Sequence, residues 1–106
     1  MIQLKKILSE VSDALKRLYK DNLAEIVLYG SYARNDYTEN SDIDLLVVLY
    51  RLDSPGKEID KIVDVIYDIN LKYNILTSVV PVSKEDYKNI NSPLLLNIRN
   101  EGILVA

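Results

Sequence analysis

Two stretches of the chain place apolar residues at the spacing of an amphipathic helix. In the first, the apolar positions are Leu4, Ile7, Leu8, Val11, Leu15 and Leu18. In the second, they are Ile59, Ile62, Val63, Ile66, Ile69 and Tyr73. Residues three and four apart share a helix face, so this periodicity predicts two helices. We expect the first to end near Asp21-Asn22 and the second to follow the turn Ser54-Pro55-Gly56.

Three shorter apolar runs predict β-strands. They cover residues 25–29, 43–50 and 75–82. The middle run is hydrophobic at nearly every position, so we expect both of its faces to be covered. Pro81 has no backbone N–H to donate to a neighbouring strand, which favours either an edge position for the third strand or Pro81 as its last paired residue.

The last quarter of the chain predicts two short helices and a terminal segment. Ser83 suits the N-cap of one helix, and Ser92-Pro93 suits the start of the other. Gly102 would end that helix, and residues 103–105 would form a terminal strand or a docking tail. The order of elements predicts an α/β (α+β) fold, a small mixed β-sheet packed by helices, in one domain over residues 1–106.

Composition limits the chemistry that the chain can perform. Of its 106 residues, 48% are hydrophobic and 27% are charged, and the net charge is −3, with no Cys and no His. Thiol nucleophiles, the usual zinc sites and imidazole acid–base catalysis are therefore excluded. Any metal must be held by oxygen, which favours magnesium, manganese or calcium. We see neither a signal peptide nor a membrane-length apolar run, so we expect a cytoplasmic protein with no membrane partner.

Candidate functional residues concentrate between positions 30 and 44. Gly30 and Ser31 follow one predicted strand, and Asp42 and Asp44 begin the next. Side chains at i and i+2 of a strand share a face, so the two carboxylates would project together, with Ile43 turned into the core. Paired carboxylates repel each other unless a cation lies between them, and a Gly-Ser turn offers backbone N–H groups to an anion. This combination suits a metal–triphosphate complex.

The same residues carry a resemblance to a known family. Gly30-Ser31, ten intervening residues and Asp42-Ile43-Asp44 resemble the Gly-Ser-x10-Asp-x-Asp signature of the DNA polymerase beta-like nucleotidyltransferase superfamily. The flanking Tyr-Gly-Ser-x-Ala-Arg and Ser-Asp-Ile-Asp-Leu-Leu-Val-Val strengthen it, and it covers most of the chain. Because the chain is short, it is most similar to the minimal, MNT-type members.

The resemblance implies transfer of a nucleoside monophosphate, most simply AMP, from ATP or another nucleoside triphosphate to a hydroxyl group, with two Mg²⁺ ions. Asp42 and Asp44 would hold the ions. Gly30 and Ser31 would bind the phosphates, and Arg34 would reach a phosphate oxygen. Such a displacement requires mainly positioning and electrostatic stabilisation, so the absence of His is no obstacle.

The resemblance also implies a protein partner. Minimal domains of this family are similar to the antitoxins of toxin–antitoxin pairs, whose usual companion is a small helical HEPN ribonuclease toxin that can be modified on a tyrosine. A domain of this size covers its nucleotide poorly, so acceptor recognition would come from a partner chain or from a homodimer.

Two departures from the family pattern concern the active site. Asn35 stands where family members often have Gly, although Asn tolerates a left-handed turn. Active relatives carry a third carboxylate on the next strand, whereas residues 75–82 contain no acid. The remaining candidate ligands are the hydroxyls of Thr77 and Ser78 and the loop acids Asp36, Glu39 and Asp53, none of which has a preferred spacing. The alternative function is therefore a catalytically weak or inactive nucleotide-binding module that regulates a partner by binding.

Other candidate features have simpler interpretations. Asp60, Asp64 and Asp68 recur every four residues among lysines, which is typical of a solvated helix face rather than a metal site. Tyr29 and Tyr32 flank the Gly-Ser turn, and we interpret them as core or rim side chains. Nucleic-acid binding is disfavoured because the chain has no broadly basic composition.

Overall fold

The computed structural model describes residues 3–106 and contains helices on both faces of a four-stranded sheet; residues 1 and 2 of the predicted domain lie outside the described residues. The elements in chain order are α1 (Leu4–Tyr19), a 3-10 helix (Lys20–Asn22), β1 (Leu23–Tyr29), α2 (Ser31–Arg34), β2 (Ile43–Leu49), α3 (Pro55–Tyr73), β3 (Thr77–Ser83), α4 (Lys84–Asn89), α5 (Pro93–Glu101) and β4 (Ile103–Leu104). The predicted α/β (α+β) fold is confirmed.

The sheet is mixed, with strand order β3-β2-β1-β4. β1 is antiparallel to both β2 and β4, whereas β2 and β3 are parallel and are joined by α3. β3 lies at an edge, which is one of the two positions that Pro81 allows; Pro81 is not the last paired residue, because Val82 and Ser83 also pair with β2. It begins at Thr77 instead of Ile75, because Asn74 takes a left-handed conformation (φ 52°) that ends α3 and redirects the chain.

Side chains of β2 alternate between two hydrophobic layers. Leu45 and Val47 pack in a cluster with α1 and α3, and Leu46 and Val48 pack in a second cluster with α5. Residues Leu45 to Leu49 are all fully buried, which confirms that both faces of this strand are covered. The central strand is thus fixed from both sides, and its first residues are positioned by a rigid core.

The helices confirm most of the sequence pattern and correct one part of it. The hydroxyl of Ser83 accepts a hydrogen bond from the backbone N–H of Asp86 at 3.1 Å, and that of Ser92 accepts one from Leu95 at 3.2 Å, as expected for N-caps. In α3, Ile62 and Ile66 are fully buried, but Ile59 and Val63, which share the same apolar pattern, are 37% and 47% exposed. Among residues 3–106, no helix is long and apolar enough to cross a membrane.

Candidate active site

The candidate residues meet at one edge of the sheet. Because β1 runs against β2 while β3 runs with it, the end of β1 and the beginnings of β2 and β3 lie together. Asp44 pairs with Tyr29 on one side and with Ser78 on the other. The Gly-Ser turn and the Asp-x-Asp segment are therefore neighbours in space, as the sequence predicts.

Gly30 is required by both its backbone conformation and its surroundings. Its φ and ψ are 77° and −154°, a region that is essentially reserved for glycine. A Cβ atom built on Gly30 would lie 2.3 Å from Oδ2 of Asp44. The missing side chain thus lets the turn come against the carboxylate, and α2 begins at the next residue, Ser31.

The two aspartates differ in their environment. Asp42 is exposed and precedes β2, Ile43 is fully buried, and Asp44 is half-buried as the second residue of the strand. Burial raises the pKa of Asp44, the negative charge of Asp42 raises it further, and the positive charge of Arg34 opposes both. The carboxylates are thus close enough to repel each other, and a divalent cation between them would relieve that repulsion.

Arg34 is held by two carboxylates. Its Nε donates to Oδ2 of Asp36 and its Nη1 donates to Oε1 of Glu101, each at 3.1 Å. Both contacts raise the pKa of the guanidinium. The following residue, Asn35, adopts the left-handed conformation (φ 62°) that its side chain tolerates. The sequence does not predict the role of Glu101, because nothing in it links α5 to a residue 67 positions away.

Ser78 is the residue of β3 that pairs with Asp44. Its side chain is exposed and lies in register with Asp44. Thr77 is 4% exposed, and its hydroxyl donates to Oδ1 of Asn70 at 2.9 Å, so the hydroxyl available to the site is that of Ser78.

The loop acids do not fill the third-ligand position either. Asp36 is bonded to Arg34, and Asp53 follows the opposite end of β2. Glu39 is exposed in the loop before β2. Over residues 3–106 there is no group of three or more His, Cys, Asp or Glu side chains that could hold a metal ion. Any complete carboxylate triad would need a group from elsewhere.

The tyrosines beside the turn belong to the rim and the core. Tyr29 is half-buried, and burial followed by the charge of Asp44 raises the pKa of its hydroxyl. Tyr32 is 6% exposed and stacks on Tyr37 with a ring separation of 4.3 Å. A cleft of about 680 Å³ is lined in part by Tyr32, Tyr37 and Tyr73, but neither Asp42 nor Asp44 lines it.

Comparison with known proteins places the chain in a family. The family model described as "Nucleotidyltransferase domain" matches residues 8–99, and the chain belongs to this family of enzymes. Two relatives come from Methanocaldococcus jannaschii. "Putative protein adenylyltransferase MJ0604" is 37% identical over 92% of this chain and 92% of its own length. "Putative protein adenylyltransferase MJ0141" is 33% identical over 94% of this chain and 96% of its own length.

Solved structures share the fold. A toxin–antitoxin crystallised with AMP-PNP superposes with a TM-score of 0.60 at 20% identity, over 93% of this chain and 72% of that one. A mutant of the toxin–antitoxin MntA-HpeT gives a TM-score of 0.57 at 18% identity, over 93% of this chain and 71% of that one. At this level of identity the likeness establishes the nucleotidyltransferase fold alone.

Proposed function

We propose that this protein transfers AMP from ATP to a hydroxyl group of a partner protein. The observation that carries the proposal is the contact between the Gly30 turn and the Asp44 carboxylate, which leaves no room for a side chain. Phosphates bound by the turn would lie beside the acidic pair, where a metal–triphosphate complex needs them. The names of the relatives, which describe protein adenylyltransferases, support the choice of donor and acceptor.

In the proposed reaction, an oxygen of the acceptor hydroxyl attacks the α-phosphorus of ATP. A new P–O bond forms there, the bond from the α-phosphorus to the bridging oxygen breaks, and pyrophosphate leaves with that oxygen. The hydroxyl proton passes to a base or to water. Backbone N–H groups at Gly30 and Ser31 would bind the β- and γ-phosphates, and Arg34 would contribute positive charge to them.

The oxygen donors of the site fit magnesium. Asp42 and Asp44 would hold Mg²⁺, which when bound neutralises charge on the triphosphate and on the departing pyrophosphate. Burial and then the negative charge of Asp42 raise the pKa of Asp44, and a cation between the two carboxylates would replace their repulsion by attraction. The two carboxylates and the Ser78 hydroxyl would be the candidate ligands for two ions at this edge of the sheet.

The second candidate function is that of a nucleotide-binding module that regulates its partner protein by binding to it. The observation that favours it is Ser78, in register with Asp44. A serine hydroxyl is a weak metal ligand and a weak base, so an ion near it would be held loosely and the acceptor would keep its proton. In this alternative, ATP·Mg binds but transfer is slow.

The proposed partner is a small helical protein of the HEPN type, with the present chain as its antitoxin. The support comes from the solved structures, which are described as toxin–antitoxin complexes. A homodimer is the alternative source of acceptor recognition. The protein encoded next to this chain's gene is the acceptor to test first.

The deciding experiment incubates the chain and the neighbouring protein with α-labelled ATP and Mg²⁺. An enzyme would label the partner, and Asp44→Asn would abolish labelling while leaving the fold intact. A Ser78→Asp variant should raise the rate by restoring a third carboxylate, whereas Ser9→Asp, an exposed change on α1, should not. If the wild type melts at a higher temperature with ATP·Mg yet labels nothing, and Ser78→Asp does label, the binding module is correct.

A further inference from the structure

The outer surface of α3 carries a continuous row of exposed apolar side chains. Ile59, Val63, Tyr67 and Leu71 follow one another at intervals of four residues and are 37%, 47%, 57% and 64% exposed. Residues four apart are neighbours on one face of a helix, so the four side chains form a single strip. The sheet-facing side of the same helix holds Ile62 and Ile66, both fully buried, so this strip is additional to the core contacts.

An acidic row runs beside the apolar strip. Asp60, Asp64 and Asp68 each follow a member of the strip by one residue, and all three are exposed. None of them forms a salt bridge with another of the residues 3–106. Lys61, which is spaced to reach Asp64, lies 3.5 Å from Glu58 instead. The acidic row therefore keeps its negative charge available to a partner.

The two rows meet at a small notch. Its volume is about 230 Å³, and it is lined by Asp60, Val63, Asp64 and Tyr67. This is below the roughly 300–1,000 Å³ of pockets that take whole small-molecule ligands. A lining of Val63, the Tyr67 ring and two carboxylates suits one long side chain with an apolar stem and a cationic head. Arginine fits best, since its planar guanidinium stacks on aromatic rings and bonds carboxylates in pairs.

We propose that this surface binds an amphipathic helix of a partner protein. The apolar ridge of that helix would lie on the strip, its basic residues would lie along the acidic row, and one arginine would enter the notch. A second copy of this chain fits poorly in an antiparallel arrangement. In an antiparallel two-fold pair of α3 helices the acidic rows would face each other, and like charges across an interface are unfavourable.

Helix docking on α3 does not depend on the proposed transfer reaction. α3 packs on the face of the sheet that carries Leu45 and Val47, whereas Asp44 lies on the α5 side with Leu46 and Val48. Docking on the outer surface of α3 therefore leaves the acidic pair open, and it can be measured without nucleotide.

The test titrates the isotopically labelled chain with a synthetic helical peptide that has a leucine ridge flanked by arginines. The amide signals of Val63 and Tyr67 should shift, and the affinity should fall as salt is added. Changing both notch acids, Asp60→Asn with Asp64→Asn, should weaken binding roughly three- to tenfold, as expected for two exposed ion pairs. The matched control removes the same charge elsewhere, with Asp13→Asn and Asp53→Asn, and should leave the affinity unchanged.

Two further peptides separate charge from apolar contact. A peptide with glutamates in place of arginines should bind far more weakly, and one with lysines should bind less tightly than the arginine peptide. The proposal is overturned if the glutamate peptide binds equally well, if the control variant weakens binding as much as the notch variant, or if no α3 signal shifts. It is also overturned if the α3 signals change on dilution of the chain alone, because the occupant would then be a second copy.

Discussion

The sharpest prediction concerns Gly30, where one added methyl group should damage both the fold and the nucleotide site. In Gly30→Ala, the new Cβ would lie 2.3 Å from Oδ2 and 3.1 Å from Cγ of Asp44. The backbone conformation, φ 77° and ψ −154°, is itself unfavourable for alanine by about 1–3 kcal/mol. Relief of the contact requires Asp44 to move, so the carboxylate would leave its place beside the turn.

The expected loss of stability is about 2 kcal/mol or more from strain and contact together. For a domain of this size, 2 kcal/mol corresponds to a fall in melting temperature of about 10 °C. The assay is thermal unfolding followed by circular dichroism, with and without ATP·Mg. The variant should melt lower than the wild type and should lose the rise in melting temperature that nucleotide gives if the proposed site is correct.

The matched control is Gly56→Ala. Gly56 lies in the first turn of α3, and a Cβ built there meets nothing within 4 Å. Because alanine favours helix over glycine by about 0.5–1 kcal/mol, this variant should melt at the same or a higher temperature. Replacing glycine with alanine is thus expected to lower the melting temperature at position 30 and to leave it unchanged or raise it at position 56.

A double-mutant cycle separates the contact from the backbone strain. If the Asp44 contact matters, Gly30→Ala should destabilise an Asp44→Ala background less than it destabilises the wild type. Equal destabilisation in both backgrounds would show that only the backbone conformation matters. A Gly30→Ala protein with the melting temperature and nucleotide response of the wild type would refute the whole argument.

Two further predictions concern contacts between elements. The hydroxyl of Tyr73 and the ammonium of Lys72 donate to Glu10 and lower its pKa below the ordinary 4.5, so charged Glu10 stabilises the fold. Glu10→Gln should therefore lower the free energy of unfolding at neutral pH, and the difference from wild type should vanish as the pH falls through the lowered pKa of Glu10. Urea unfolding at several pH values measures this difference. A difference that persists in strong acid would contradict the prediction. Ser92→Ala removes the hydroxyl that accepts the N–H of Leu95 and should destabilise the protein by about 1 kcal/mol, and an unchanged melting temperature would show that this cap contributes nothing.

The local pattern of the chain determined most of its elements. Helical spacing predicts α1 and α3, and the serine caps predict the starts of α4 and α5, because these signals depend on residues only three or four apart. The continuous apolar run over residues 43–50 predicts a strand buried on both faces for the same local reason. The Gly-Ser and Asp-x-Asp segments likewise identified the family, because their chemistry lies within 15 residues of chain, from Gly30 to Asp44.

Tertiary structure decided what the candidate site contains. The sequence left two hydroxyls, Thr77 and Ser78, and three loop acids, Asp36, Glu39 and Asp53, as candidates for a third ligand. Of the two hydroxyls, the register of β3 against β2 turns Thr77 inward and Ser78 outward. Glu101 reaches Arg34 only because α5 packs against the sheet near the end of β1. These choices depend on pairing between residues far apart in the chain, which no local pattern records.

The exposure of the outer surface of α3 is likewise not recorded in the local sequence pattern. Ile59 and Val63 fit the apolar periodicity of a buried face, yet the elements packed against α3 fully bury Ile62 and Ile66 and leave Ile59 and Val63 exposed. Periodicity states which residues share a helix face, whereas the neighbouring elements decide how much of that face is covered. The sequence alone therefore determined the elements and the family. The packing of distant segments determined which hydroxyl of β3 pairs with Asp44, the partner of Arg34 and the uncovered strip on α3.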